Sequence, residues 1–169
     1  CRAIYYSDMA PALIAYGAQA LVHTAEGSQL VSCQELMETH CKDQDKPMLI
    51  EKFFIPKSAY SGAWAKFDKY SLRGSIDFPT INFACVRNSQ GVRLTVGAIA
   101  THVLELVQTE ESLNAQGSAF SVEEATKIAL DEMKKKSEIV RESGISVQVK
   151  RGTFCYVEAM LKELKEHSL

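Results

Sequence analysis

Thr80-Ile81-Asn82-Phe83-Ala84-Cys85-Val86-Arg87-Asn88-Ser89-Gln90-Gly91-Val92-Arg93-Leu94-Thr95-Val96-Gly97-Ala98-Ile99 is the stretch on which the fold turns. Ile81, Phe83 and Cys85 alternate with their neighbours, which predicts a strand over Thr80–Val86. Asn88-Ser89-Gln90-Gly91 carries the residues of a hairpin turn, and Val92 to Ile99 reads as the returning strand. Ala63 to Leu72 before this hairpin and His102 to Val107 after it complete four antiparallel strands. Glu110 to Ala115 then reads as a short helix.

Two longer helices follow. Ser121-Val122-Glu123-Glu124 is a capping box, in which a serine and a glutamate satisfy the open N–H groups of a first helical turn. Val122, Ala125, Ile128, Ala129 and Met133 make the apolar stripe of that helix. Glu123–Lys127 and Asp131–Lys135 form i,i+4 pairs on its wet side. Thr153 to His167 is a second amphipathic helix, turning Phe154, Val157, Met160, Leu161 and Leu164 inward. Strands grouped together and followed by helices predict an α+β fold, a sheet of about four strands covered on one face by two or three helices.

Toward the N-terminus the units are smaller. Ser7-Asp8 ahead of Ala10-Pro11-Ala12-Leu13-Ile14-Ala15-Tyr16, with Gly17 behind, brackets a short helix. Gln19 to Thr24 and Gln29 to Ser32 read as two strands joined by Glu26-Gly27-Ser28, and Cys33 to His40 as a helical turn carrying Leu36 and Met37 inward. Cys41 to Lys46 is a polar loop, and Met48 to Ile55 is an apolar strand ended by Pro56. Lys57 to Gly62, rich in small residues, is the expected domain boundary.

Composition narrows the function classes. With 169 residues, 46% of them hydrophobic and 24% charged, the chain can bury its own core. A net charge of −2 without a basic block argues against nucleic acid or an anionic membrane as the main partner. Apolar runs fall short of the roughly 20 residues that span a bilayer. Cys1, Cys33, Cys41, Cys85 and Cys155 are scattered without a CxxC pair, as expected of reduced thiols in a cytoplasmic protein rather than of ligands to a metal or cluster. His23, His40, His102 and His167 stand apart, and no HExxH, P-loop, GxGxxG or GxSxG occurs.

Two spots stand out. Ser7-Asp8 reads either as a simple helix cap or as offering a carboxylate, Asp8, that accepts hydrogen bonds from a ligand's hydroxyls. Phe67, Lys69, Ser71 and Arg73 fall on one strand face; that face reads either as an exposed sheet surface or as a wall toward an anionic or electron-accepting cofactor.

Three segments, in this order, resemble the FAD-binding (medium) subunit of molybdenum hydroxylases of the xanthine dehydrogenase and carbon monoxide dehydrogenase type. Ser7-Asp8-Met9-Ala10-Pro11-Ala12-Leu13-Ile14-Ala15-Tyr16-Gly17-Ala18 is similar to the family's S-D-L-x-P-x-L-x-A-L-x-A helix. Leu49-Ile50-Glu51-Lys52-Phe53-Phe54-Ile55-Pro56 resembles its strand ending in I-x-I-P. Phe67-x-Lys69-x-x-x-Arg73-x-x-x-Asp77-Phe78 resembles the stretch that opens its C-terminal domain. The resemblance implies that 1–58 is the C-terminal portion of a PCMH-type FAD-binding domain, and that 62–169 is a domain like the C-terminal one of the carbon monoxide dehydrogenase flavoprotein.

What the resemblance implies for function is electron transfer. A molybdopterin-binding large subunit hydroxylates the substrate, [2Fe-2S] centres in a small subunit carry electrons on, and FAD passes them to NAD or another acceptor. Carried over, Asp8 contacts the nucleotide portion of FAD and Lys69 lies near the flavin ring, while Arg73 and Asp77 are structural, an ion pair beside the site. The family grips the FAD pyrophosphate with G-G-x-T/S and L-G-G-N loops, and neither is present. Cys1-Arg2-Ala3 matches the segment that follows G-G-N, so the chain is expected to be a C-terminal fragment whose N-terminal partner half carries both loops. Asp43 and Gln44 stand where the family has a leucine beside the flavin, and Met48 where it has an acid. These departures support an alternative, a non-catalytic paralogue that serves as an assembly or interaction module without flavin.

Overall fold

The structure is a computed structural model and describes residues 6–40, 47–74, 77–137 and 146–167. The segments around Cys1 and around Asp43 and Gln44 lie outside the described residues. The hairpin forms as expected: β5 (Ile81–Asn88) and β6 (Gly91–Gly97) pair antiparallel from Asn82↔Gly97 to Asn88↔Gly91. Gly91 has φ 123°, outside the range comfortable for an L side chain, and Asn88 Oδ1 accepts the Gln90 N–H at 2.8 Å to tighten the turn. β4 (Trp64–Tyr70) flanks β5, and β7 (Leu104–Glu105) flanks β6, giving the order β4-β5-β6-β7. The fourth strand is shorter than expected, because residues 98–103 form a connection in which Ala98, Ile99, Ala100 and Val103 are buried and Thr101 is exposed.

One sheet face carries the main core. Ile81, Phe83, Cys85, Leu94 and Val96 pack against α5 (Val122–Lys136) and α7 (Val157–Glu166) through Ala125, Ala129, Met133, Val157, Met160, Leu161 and Leu164. Each large aliphatic side chain buried there contributes about 1.5–3 kcal/mol. The capping serine acts as expected, Ser121 Oγ accepting the Glu124 N–H at 3.3 Å. The run Thr153 to His167 is two elements rather than one, a 3-10 turn over Thr153–Tyr156 leading into α7. A further short helix, α6 (Val147–Gly152), precedes it. α4 (Val107–Gln116) lies along the free edge of β6, where Glu110 and Asn114, one helical turn apart, accept the Leu94 and Val92 N–H groups at 2.7 Å each.

The other face differs from expectation. Helices cover both faces, because α1 (Met9–Ala15) packs across β5 and β6, with Ala15 against Ala84 and Val86. This explains why Ile81 to Val86 are all buried, a pattern that alternation alone does not require. The other side of α1 meets α2 (Cys33–Glu35), a single turn widening into a π-turn over Leu36–His40; Ala10, Ile14, Cys33 and Val103 form this small core. Beyond it lies a second sheet of β1 (Gln19–Thr24), β2 (Gly27–Ser32) and β3 (Leu49–Phe54), in the order β2-β1-β3. The stretch expected as a linker contains a helical turn, α3 (Lys57–Tyr60), with Ala59 buried.

Candidate functional site

α1 decides where Asp8 sits. Its first turn is capped by Ser7, whose Oγ accepts the Ala10 N–H at 3.1 Å, as the capping reading of Ser7-Asp8 has it; Asp8 itself makes no capping hydrogen bond. The helix is tied to the sheet by polar side chains beneath it. Thr95 Oγ1 donates to Pro11 O at 2.9 Å, Arg93 Nη1 donates to Ile14 O at 3.2 Å, and Asn82 Nδ2 donates to Ser7 O at 3.0 Å. These groups occupy the sheet face opposite the main core.

Strand register supplies the second element. Lys69 of β4 is opposite Asn82 of β5, which is opposite Gly97 of β6, so the three lie in one row under the start of α1. Lys69 Nζ meets Asp8 Oδ2 at 2.6 Å, and Asn82 Nδ2 reaches Asp8 Oδ1 at 3.3 Å. The two cofactor-site candidates, from opposite sides of the expected domain boundary, are thus direct partners. The carboxylate is 44% and the lysine side chain 29% exposed, so both remain accessible while each oxygen of Asp8 has one partner among the described residues.

Asn82 is the residue that sequence reasoning missed. It is fully buried, and its Oδ1 finds no donor among the described residues. Such an orphan costs about 1–3 kcal/mol. Turning the amide over would aim that oxygen at the Ser7 carbonyl and the Asp8 carboxylate, which is worse. The signal was present in Ile81-Asn82-Phe83, a lone polar side chain inside an apolar strand. Alternation marks it as facing away from Ile81 and Phe83, but only α1 gives that face a purpose.

The expected four-residue face does not hold together. β4 ends at Tyr70, so Phe67 and Lys69 share its face while Ser71 and Arg73 leave it. Ser71 Oγ donates to Arg73 O at 3.2 Å, and Arg73 Nη2 pairs with Asp77 at 3.0 Å. Asp77 also accepts the Arg73 and Phe78 N–H groups, and Arg73 chiefly holds its carboxyl below the usual range. Arg73 and Asp77 form the expected ion pair. Near Asp8 and Lys69 in the sequence, Met9, Phe67, Leu72 and Phe78 are exposed, and the Phe78 ring lies 4.4 Å from that of Tyr6.

Other polar groupings are structural. His23 bridges Ser28 and Glu51 at 2.7 Å on each side, stitching the three strands of the smaller sheet on an open surface. A cleft of about 380 Å³ between Tyr16, Pro56, Asn88 and Arg93 lies at the far end of α1 from Asp8. Among the described residues no three His, Cys, Asp or Glu side chains converge as metal ligands, and no helix is long and apolar enough to cross a membrane. Cys33, Cys85 and Cys155 are free; burial pushes the Cys33 thiol up to about 11, which keeps it unreactive.

No family model matches the sequence, and no curated protein matches it. Solved structures do match the fold. Quinoline 2-oxidoreductase from Pseudomonas putida 86 superposes with a TM-score of 0.73 at 16% identity over 99% of this chain and 57% of that one. Carbon monoxide dehydrogenase from Hydrogenophaga pseudoflava, in a form lacking the Mo-pyranopterin moiety of its cofactor, gives 0.75 at 20% identity over 96% and 56%. Reconstituted carbon monoxide dehydrogenase from Oligotropha carboxidovorans gives 0.75 at 14% identity over 99% and 59%. This chain therefore spans a little over half the length of the chains it matches. It has the two-sheet α+β fold of carbon monoxide dehydrogenase and quinoline 2-oxidoreductase chains, the fold that its three motifs imply.

Proposed function

We propose that this chain is the C-terminal part of an electron-transfer flavoprotein subunit in a molybdopterin-dependent hydroxylase or dehydrogenase. That subunit passes electrons from iron–sulfur centres through FAD to NAD or another acceptor. The observation that carries the reading is the meeting of Asp8 and Lys69, 2.6 Å apart on an accessible face, within a fold shared with oxidoreductase chains. A paired carboxylate keeps free lone pairs for a ligand's hydroxyls, and an ammonium beside it favours a ligand that becomes anionic.

When bound, FAD supplies the electron chemistry, and the protein positions and polarises it. Asp8 receives hydroxyl groups of the nucleotide portion, Lys69 faces the ring, and exposed Phe67 and Phe78 offer apolar surface beside them. The pyrophosphate grip, which needs close backbone approach, is assigned to the N-terminal half of the FAD-binding domain. The molybdopterin-binding large subunit and the [2Fe-2S] subunit are the further partners, and the cytoplasm the proposed compartment. Exposed Leu49, Phe53, Phe54 and Ile55 on β3 and just after it are apolar surface of the kind that such partners cover.

The test is the colour of the assembled complex. Purified with its partner chains, it is expected to show the flavin absorbance bands and to lose them on reduction. A colourless, fully assembled complex would overturn this reading in favour of the non-catalytic assembly module. The mutual pairing of Asp8 and Lys69, which leaves neither charge in need of a ligand, is compatible with that module.

A further inference from the structure

Asn82 lies beside Lys69 in the sheet, yet among the described residues its side chain bonds only to the start of α1. Its two amide hydrogens go to Ser7 O at 3.0 Å and to Asp8 Oδ1 at 3.3 Å. Its oxygen has no partner among the described residues and rests against Gly97, its cross-strand neighbour. A Cβ built on Gly97 would collide with Asn82 Oδ1 and would stand 3.0 Å from Pro11 Cγ. Gly97 does not need glycine for its φ, which lies outside the left-handed region; it needs glycine for space. A buried amide with an unsatisfied oxygen is a poor stabiliser, so its presence here calls for a role other than stability.

We propose that Asn82 is the positioning residue of this site. Seated on Gly97, it clamps the backbone of Ser7 and one oxygen of Asp8, so that the carboxylate meets the hydroxyl groups of FAD in one fixed orientation. This inference rests on the flavoprotein reading above. The hydrogen-bond count makes it specific: with Oδ1 held by Asn82 and Oδ2 by Lys69, the carboxylate cannot rotate, and its remaining lone pairs face solvent. Without Asn82 the carboxylate swings about the Lys69 ammonium, and a ligand must pay for its ordering.

The experiment is a double-mutant cycle on the assembled flavoprotein after removal of FAD, read as the FAD dissociation constant by flavin fluorescence. Asp8→Asn and Asn82→Ala are each expected to weaken FAD by roughly ten-fold, the scale of one hydrogen bond to a charged group. The double variant is expected to bind no more weakly than Asp8→Asn alone, because Asn82 acts only through Asp8. An Asn82→Ala loss that multiplies with the Asp8→Asn loss, or no Asn82→Ala loss while Asp8→Asn binds poorly, overturns the inference and leaves the flavoprotein reading standing. An Asp8→Asn variant that binds FAD normally overturns the site itself. Thermal melts of Gly97→Ala provide the control against misfolding. Its melting temperature should drop and should recover in part when Asn82→Ala is added, the Pro11 contact remaining, and a drop with no recovery shows that Gly97 does not serve Asn82.

Discussion

Lys69 and Asp8 carry opposite charges at one point, so their substitutions should act in opposite directions on a bound flavin. Removing the ammonium with Lys69→Met costs the anionic reduced ring about 1–2 kcal/mol after solvent and the neighbouring Asp8 have weakened the attraction. That corresponds to a midpoint potential lower by ~40–90 mV for a one-electron step, and by about half as much for the two-electron couple. Asp8→Asn should raise the midpoint. A redox titration of both variants checks this, and unchanged midpoints in both would remove the pair from the vicinity of the ring. Glu110 makes a second prediction that involves no ligand. Burial pushes its carboxyl up to about 7 from an ordinary 4.5, partly offset by the Leu94 N–H it accepts. Between those values the folded protein holds a proton that the unfolded chain has released, so stability falls as pH rises from about 4.5 to about 7 and is then level. Glu110→Gln keeps an acceptor for Leu94 and removes the charge. It should flatten that slope and stabilise the protein at alkaline pH by roughly 1–3 kcal/mol, measured by urea unfolding across pH.

At the scale of elements, α4 and α5 are joined by one buried carboxylate. Glu132, 1% exposed, accepts the Gln108 and Thr109 N–H groups at 3.2 Å each, the Thr109 hydroxyl at 3.1 Å and the Lys136 ammonium at 2.7 Å. A residue of α5 thus satisfies the open N-terminal donors of α4, where a negative charge also meets the positive end of the helix dipole. Glu132→Ala leaves those donors unmet inside the protein and should cost about 3–5 kcal/mol, read as a lower urea midpoint. A cost near that of a surface substitution would show that water replaces the carboxylate. The i,i+4 pairs expected on α5 are present, Lys127–Glu123 at 2.7 Å and Lys135–Asp131 at 2.6 Å, because helix geometry alone brings them together. Glu132 reads in the sequence as one more member of that charged series. Its burial depends on α4 arriving over it, which helical spacing does not encode.

Over the whole molecule, α1 is the piece that joins the two expected domains. Residues 62–169 contain the four-stranded sheet and its main core, and we propose that they fold alone. The fragment would nevertheless lose α1 from its second face and uncover Ala84 and Val86 together with the polar row at Asn82 and Thr95. It should be less stable than the full chain by about 2–4 kcal/mol, from the apolar area exposed. Urea unfolding of the fragment beside the full chain measures this, and equal midpoints would mean that α1 rests on the sheet without holding it.

Periodicity determined what is local. The hairpin at Asn88–Gly91, the Ser121 cap and the apolar stripe of α7 each depend on residues a few positions apart, whose geometry the backbone dictates. Three motifs in order also determined the fold. Only the tertiary structure decided that α1 covers the second sheet face, that Lys69 meets Asp8 across 61 positions of chain, and that Asn82 holds Ser7 and Asp8 from beneath. Those contacts follow from which faces pack together and in what register. A polar side chain on a strand looks the same in the sequence whether water or a helix lies above it.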